Sequence, residues 1–149
     1  MRLARRLVAL TLALPLAAVS LTACGSGISL DEPIEGPTWR LVLLGDQPVA
    51  PGDDPMRNPQ LQFDRSSGRL SGSGGCNRMS GSFTRSASQL KLGQIAATKM
   101  ACGDPARNAL ETQFFQALQA TASYRLQGPG RMALLDGTGR TVAVFEAAR

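Results

Sequence analysis

Between residues 38 and 146, one stretch of this chain carries a helical repeat, and about eight short alternating segments surround it. A lone helix covers at most one side of a sheet. A sheet of that many strands must therefore bury the rest of its apolar surface by curling on itself. The expected fold is α+β and mainly β: an antiparallel curled sheet or partly open β-barrel, with a single helix packed against it.

The segments follow from local chemistry. Residues 39–44 read as a strand stopped by Gly45-Asp46, and residues 48–59, with four prolines and the pair Asp53-Asp54, read as a loop. Leu61 and Phe63 alternate with polar residues, residues 64–68 supply turn chemistry, and residues 69–71 resume, which predicts a hairpin. Residues 81–85 and 89–92 alternate in the same way. Asp104-Pro105 is a helix start, since Asp accepts from the first free N–H groups and Pro fits the first turn. Leu110, Phe114 and Leu118 then recur every four residues, which predicts a helix to about Ala122 with Arg107 and Glu111 paired on another face. Residues 123–127, 131–135 and 140–146, separated by Gly128-Pro129-Gly130 and by residues 136–139, predict a β-meander.

The amino-terminal end reads as an address. Arg2, Arg5 and Arg6 precede an apolar run over residues 7–19, broken only by Thr11 and Pro15. A spanning helix needs about 20 apolar residues, so the run suits an export signal better than a membrane anchor. Leu21-Thr22-Ala23-Cys24 resembles a lipobox. The expectation is a signal over 1–23, removed on export, and a lipidated, palmitate-bearing Cys24 as the first mature residue. An ordinary secretory signal with an incidental cysteine is the alternative. Two or three acyl chains on one residue anchor firmly, and Gly25 favours the outer membrane, facing the periplasm, in a two-membrane bacterium. Residues 24–37 are polar and rich in Gly and Pro, a lipidated flexible tether. The folded domain is expected over 38–149.

The chain counts 16 basic and 11 acidic residues, but three of the arginines lie in the signal. The mature part is close to neutral, and no basic run with interleaved aromatics survives in it. Nucleic acid is therefore not an expected partner. No histidine is present, which excludes Ser-His-Asp and Cys-His hydrolases as well as histidine-ligated zinc and haem. With Cys24 given to lipid, Cys76 and Cys102 remain as an even pair in an oxidising compartment. A disulfide between them is the expectation, and two free thiols the competing reading. Closing a loop of about 27 residues would contribute on the order of 3.5 kcal/mol.

Two motifs add a family. Gly75-Cys76-Asn77 with Gly81 and Phe83 following, and Thr98-Lys99-Met100-Ala101-Cys102, together resemble the paired signature of the META/HslJ-like domain. Trp39-Arg40-Leu41 at the start, Glu111 with Phe114 and Leu118, and residues 142–145 agree with it. Gly103 departs from the pattern, where relatives often carry proline. The resemblance implies a barrel-like sheet with one helix, in a small envelope or secreted protein, often a lipoprotein, with links to stress response and antibiotic tolerance. It implies no enzymatic activity, no cofactor and no catalytic residue.

The remaining candidates read as structure. Residues 71–75 look like a phosphate-cradling loop, but no Gly-Lys-Ser/Thr follows and no helix opens there. Asn77 suits either a left-handed or hydrogen-bonded turn position or a ligand-contacting amide. Ser88 and Lys91 match S-x-x-K, yet in a strand residues three apart point to opposite faces. Asp53 and Asp54 lie in a loop with no apolar pocket to raise a pKa. The expected function is a monomeric, non-enzymatic lipoprotein, anchored in the cell envelope, that binds or supports another envelope component. The alternatives are a carrier of a small apolar ligand inside the barrel and, further off, a histidine-free hydrolase.

Overall fold

The computed structural model describes residues 33–148; the expected signal, Cys24 and the first part of the expected tether lie outside the described residues. Ten strands follow in chain order: β1 (Thr38–Leu44), β2 (Gln47–Pro48), β3 (Gln60–Asp64), β4 (Arg69–Ser73), β5 (Arg78–Ser86), β6 (Gln89–Leu92), β7 (Ala96–Ala97), β8 (Thr121–Leu126), β9 (Arg131–Asp136) and β10 (Thr141–Ala147). One helix, α1 (Pro105–Ala120), stands between β7 and β8.

Eight of the strands form a closed antiparallel barrel. They pair in the order β1, β3, β4, β5, β6, β8, β9, β10, and β10 returns to β1 with Leu41 opposite Phe145. The short β2 and β7 are appendages on β1 and β5. The eight expected strands are the eight of the barrel, β2 and β7 being additions the sequence did not predict, and the curled sheet closes completely. The weakest seam joins β6 to β8 through the single pair Gln89 and Ser123, helped by the Tyr124 N–H donating to the Ser88 carbonyl at 2.9 Å.

Alternation decides what fills the barrel. Leu61 and Phe63 on β3, Leu70 on β4, Phe83 on β5, Leu90 on β6, Met132 and Leu134 on β9 and Phe145 on β10 point inward. An eight-stranded barrel is just wide enough for side chains to fill it, and here they do. The Phe63 and Phe83 rings meet edge to face at 4.9 Å. A second, smaller cluster of Ala133, Leu135 and Val144 lies on the other face of β9 and β10.

The two mouths are closed differently. Asp104 caps α1 by accepting from the Ala106 N–H at 2.9 Å, and Pro105 occupies the first turn, as its sequence predicts. The helix leaves from beside Cys102 and delivers the chain to Thr121, which pairs with Asp136. Both of its ends thus sit at the mouth where β4 ends and β5 begins, and Phe114 and Leu118 plug that mouth. It stops at Ala120, two residues short of the expected end, because β8 takes over at Thr121.

The opposite mouth is closed by residues 33–37, which the sequence reading assigned to the tether. Ile34 is wholly buried, its carbonyl accepts from the Trp39 indole N–H at 2.8 Å, and the Gly36 N–H donates to the Phe63 carbonyl at 3.2 Å. Glu35 pairs with Arg85 at 2.7 Å, and Arg85 also donates to the Tyr124 hydroxyl at 2.9 Å. Burial, the largest single influence, raises the Glu35 carboxyl, but the Arg85 hydrogen bond, a backbone hydrogen bond and the charges of Arg85 and Arg65 together outweigh it, and the group lies below its ordinary value of 4.5. One apolar side chain in a polar stretch was enough to fasten this strap to the core, so the folded unit takes in residues 33–37 as well as Thr38 onward.

Candidate functional site

The two motifs meet at the helix-plugged mouth. Cys76 and Cys102 form a disulfide with their Cα atoms 5.6 Å apart, as expected. Beside it, Asn77 is buried and every polar atom of its amide is engaged. Its Oδ1 accepts from the Thr98 hydroxyl at 2.9 Å and the Met100 N–H at 2.7 Å. Its Nδ2 donates to the Met100 carbonyl at 3.2 Å and to Glu111 Oε1 at 2.5 Å. The Thr98 hydroxyl also accepts from the Arg78 N–H at 3.2 Å. Asn77 is therefore a hydrogen-bonded turn residue; its φ is not positive, and no donor or acceptor is left for a ligand.

Glu111 corrects the sequence reading. Its carboxylate does not pair with Arg107. It turns inward, only 6% exposed, and Oε2 accepts from the N–H groups of Asn77 at 2.7 Å and Cys76 at 3.1 Å. A buried carboxylate holding two backbone N–H groups and an amide fixes the Cys76 loop on the helix. The physical reason is phase: Glu111 lies three residues before Phe114 and seven before Leu118, on the plugging face itself.

Glycines make room for this arrangement. A Cβ on Gly74 would sit 2.5 Å from Glu111 Oε2, and Gly75 adopts a φ of +106°, which side chains rarely accept. The Gly-rich stretch thus serves close approach to the helix, not phosphate. Gly81 lies in β5 opposite Leu70. Of the other candidates, Ser88 is in a turn and Lys91 is an exposed strand residue, apart from each other. Asp54 caps a single 3₁₀ turn through the Met56 N–H at 3.0 Å and meets Arg57 at 3.5 Å. Among the described residues, no three Cys, Asp or Glu side chains converge in the manner of a metal site.

On the solvent side of the staple lies a groove of about 660 Å³ that sequence reasoning did not foresee. Gly72, Met79 and the disulfide form part of its lining, along with Gln60, Ser71 and Ser73. Arg57, Arg78 and Arg107 line it as well, and no carboxylate does. Met56 and Met100 stand at it 73% and 61% exposed. Ala101 completes the wall beside Met100. These residues come from four separate segments, so their spacing carried no signal.

Comparison with known proteins places this geometry. No curated protein matches the chain. An NMR structure of a protein from Burkholderia xenovorans is 27% identical, with a TM-score of 0.59, covering 77% of this chain and 83% of that one. A second NMR structure, 24% identical and covering 76% of this chain and 91% of the other, has the same TM-score of 0.59. The crystal structure of a DUF4847 family protein from Bacteroides vulgatus shares the fold at 16% identity and a TM-score of 0.51, over 76% of this chain and 93% of that one. The META domain model matches residues 32–149, a span that starts with the strap and takes in the stapled loops, the helix and the whole barrel. By that match the chain belongs to the META domain family.

Proposed function

We propose that this META domain is a non-catalytic binding module of the cell envelope, anchored by lipid at Cys24, that engages another envelope component through the groove beside the staple. The observation that carries the reading is the direction in which polar groups face. Glu111 and Asn77, the groups best able to do chemistry, are buried and bonded to each other, and the exposed Thr98 gives its hydroxyl to Asn77. The groove outside them offers recognition groups, namely guanidinium, hydroxyl, amide and thioether, with no activated nucleophile and no paired acids. Packing supports an external site over an internal one. Eleven large side chains are less than 2% exposed, a filling that leaves little for an apolar ligand to displace.

A photo-crosslinking residue placed in cells at Met100 tests this, against one placed at Arg125, which is exposed on β8 near the strap-closed mouth. The expected result is one defined envelope adduct from the first position and none from the second. Adducts that do not depend on position would refute the proposed site, and turnover of an envelope substrate by the purified chain would refute the non-catalytic reading. Intact mass of the native protein tests the anchor: an unacylated amino terminus would remove it.

A further inference from the structure

We infer that the groove receives an extended acidic peptide whose carboxylates are flanked by apolar residues, which rests on the binding-module reading and specifies its partner. Charge is the first ground. Three arginines line the groove with no carboxylate among its walls. Arg57 has one exposed partner in Asp54, while Arg78 and Arg107 meet no carboxylate within 4.0 Å among the described residues. The acids nearest in sequence to Arg107 are already used: Asp104 caps the helix, and Glu111 holds the Cys76 loop. The charges of Arg78 and Arg107 are therefore uncompensated, and guanidinium binds carboxylate in bidentate fashion.

Shape and composition narrow the anion. The volume lies within the range of binding clefts, well beyond what a compact ion needs. Met56 and Met100 provide adaptable apolar surface directly beside the arginines. A free phosphate would leave both methionines unused. A lipid headgroup, like free phosphate, offers nothing to seat on the two methionines, so a peptide carrying both acidic and apolar side chains fits the groove better.

Fluorescence anisotropy on the full processed chain tests the inference with a labelled ten-residue peptide of alternating Glu and Leu. Its Gln–Leu counterpart is expected to bind at least about tenfold more weakly, and R78Q and R107Q are each expected to weaken the acidic peptide about tenfold. Raising the salt should weaken binding further. The doubly reversed chain, R78E with R107E, should instead prefer a Lys–Leu peptide, a gain that a misfolded variant would not show. The inference is overturned if the Gln–Leu peptide binds equally well, or if neither peptide binds. Displacement by inorganic phosphate or by phosphatidylglycerol vesicles as complete as by unlabelled peptide would also overturn it. Any of these results alongside a retained Met100 adduct in cells would leave the module reading standing, whereas peptide binding without an adduct would count against that reading alone.

Discussion

Replacing Glu111 with glutamine should unfasten the stapled loops while leaving the barrel closed. The wild-type carboxylate accepts three hydrogen bonds, two from backbone N–H groups and one from Asn77 Nδ2. A glutamine can turn its oxygen to the two backbone donors, but its NH₂ then faces another NH₂. Asn77 cannot rotate to relieve this, since its Oδ1 already accepts from Thr98 and Met100. Two bonds lose their charge assistance and one buried donor loses its partner. At roughly 0.5–1 kcal/mol for each of the first and 1–3 kcal/mol for the last, E111Q should lose about 2–5 kcal/mol. Against a total of about 5–15 kcal/mol that is a large share, on the order of 10 °C in Tm. Urea unfolding with the disulfide intact measures it, and an unchanged m-value would confirm that the native barrel persists. A double-mutant cycle with N77A should show coupling above about 1 kcal/mol. Were E111Q to fall within about 0.5 kcal/mol of wild type, the carboxylate would not be the tie between helix and loop.

Four further outcomes follow from the same structure. I34A should destabilise by about 2–5 kcal/mol in urea, the cost of a cavity in a full core, whereas a tether residue would change nothing. G74A, whose Cβ meets the Glu111 carboxylate, should lose about 1–3 kcal/mol, while G137A, with open space around it, should stay within about 0.5 kcal/mol. Reduction of Cys76–Cys102 should lower the urea midpoint by the equivalent of about 3 kcal/mol and release two titratable thiols. Asp136 is held at about 2, below its ordinary 3.8, first by the Thr138 hydroxyl and then by the backbone N–H groups of Arg140 and Thr138. A depressed folded value means that its contribution is complete above 3.8 and fades as pH falls through about 2. Carboxyl NMR should find that titration midpoint, and D136N should remove its part of the acid-side slope.

The barrel was legible because alternation and turn chemistry are local. Leu61 and Phe63 declare their inward face in five residues, and Asp104-Pro105 announces a helix without help from the rest of the chain. The disulfide was legible by elimination. Three features were not read. Glu111 was assigned to a surface pair with Arg107 because the spacing of four also fits an ion pair; its phase with Phe114 and Leu118 was the overlooked signal. Ile34 was passed over because a single apolar residue among Gly and Pro has no periodicity, though Trp39 five residues later offered it a partner. The groove had no sequence signature at all. Its arginines lie 21 and 29 positions apart and converge only when the sheet closes.

That closure has a consequence for how the molecule comes into being. The seam between β1 and β10 joins the first strand to the last, and the Ala148 N–H reaches back to the Thr38 carbonyl at 2.7 Å. A chain delivered amino end first must hold β1 unpaired on one edge until β10 arrives. Such long-range zippering is slow and leaves a sticky strand waiting, so loss of the seven residues of β10 alone would forfeit the whole ring.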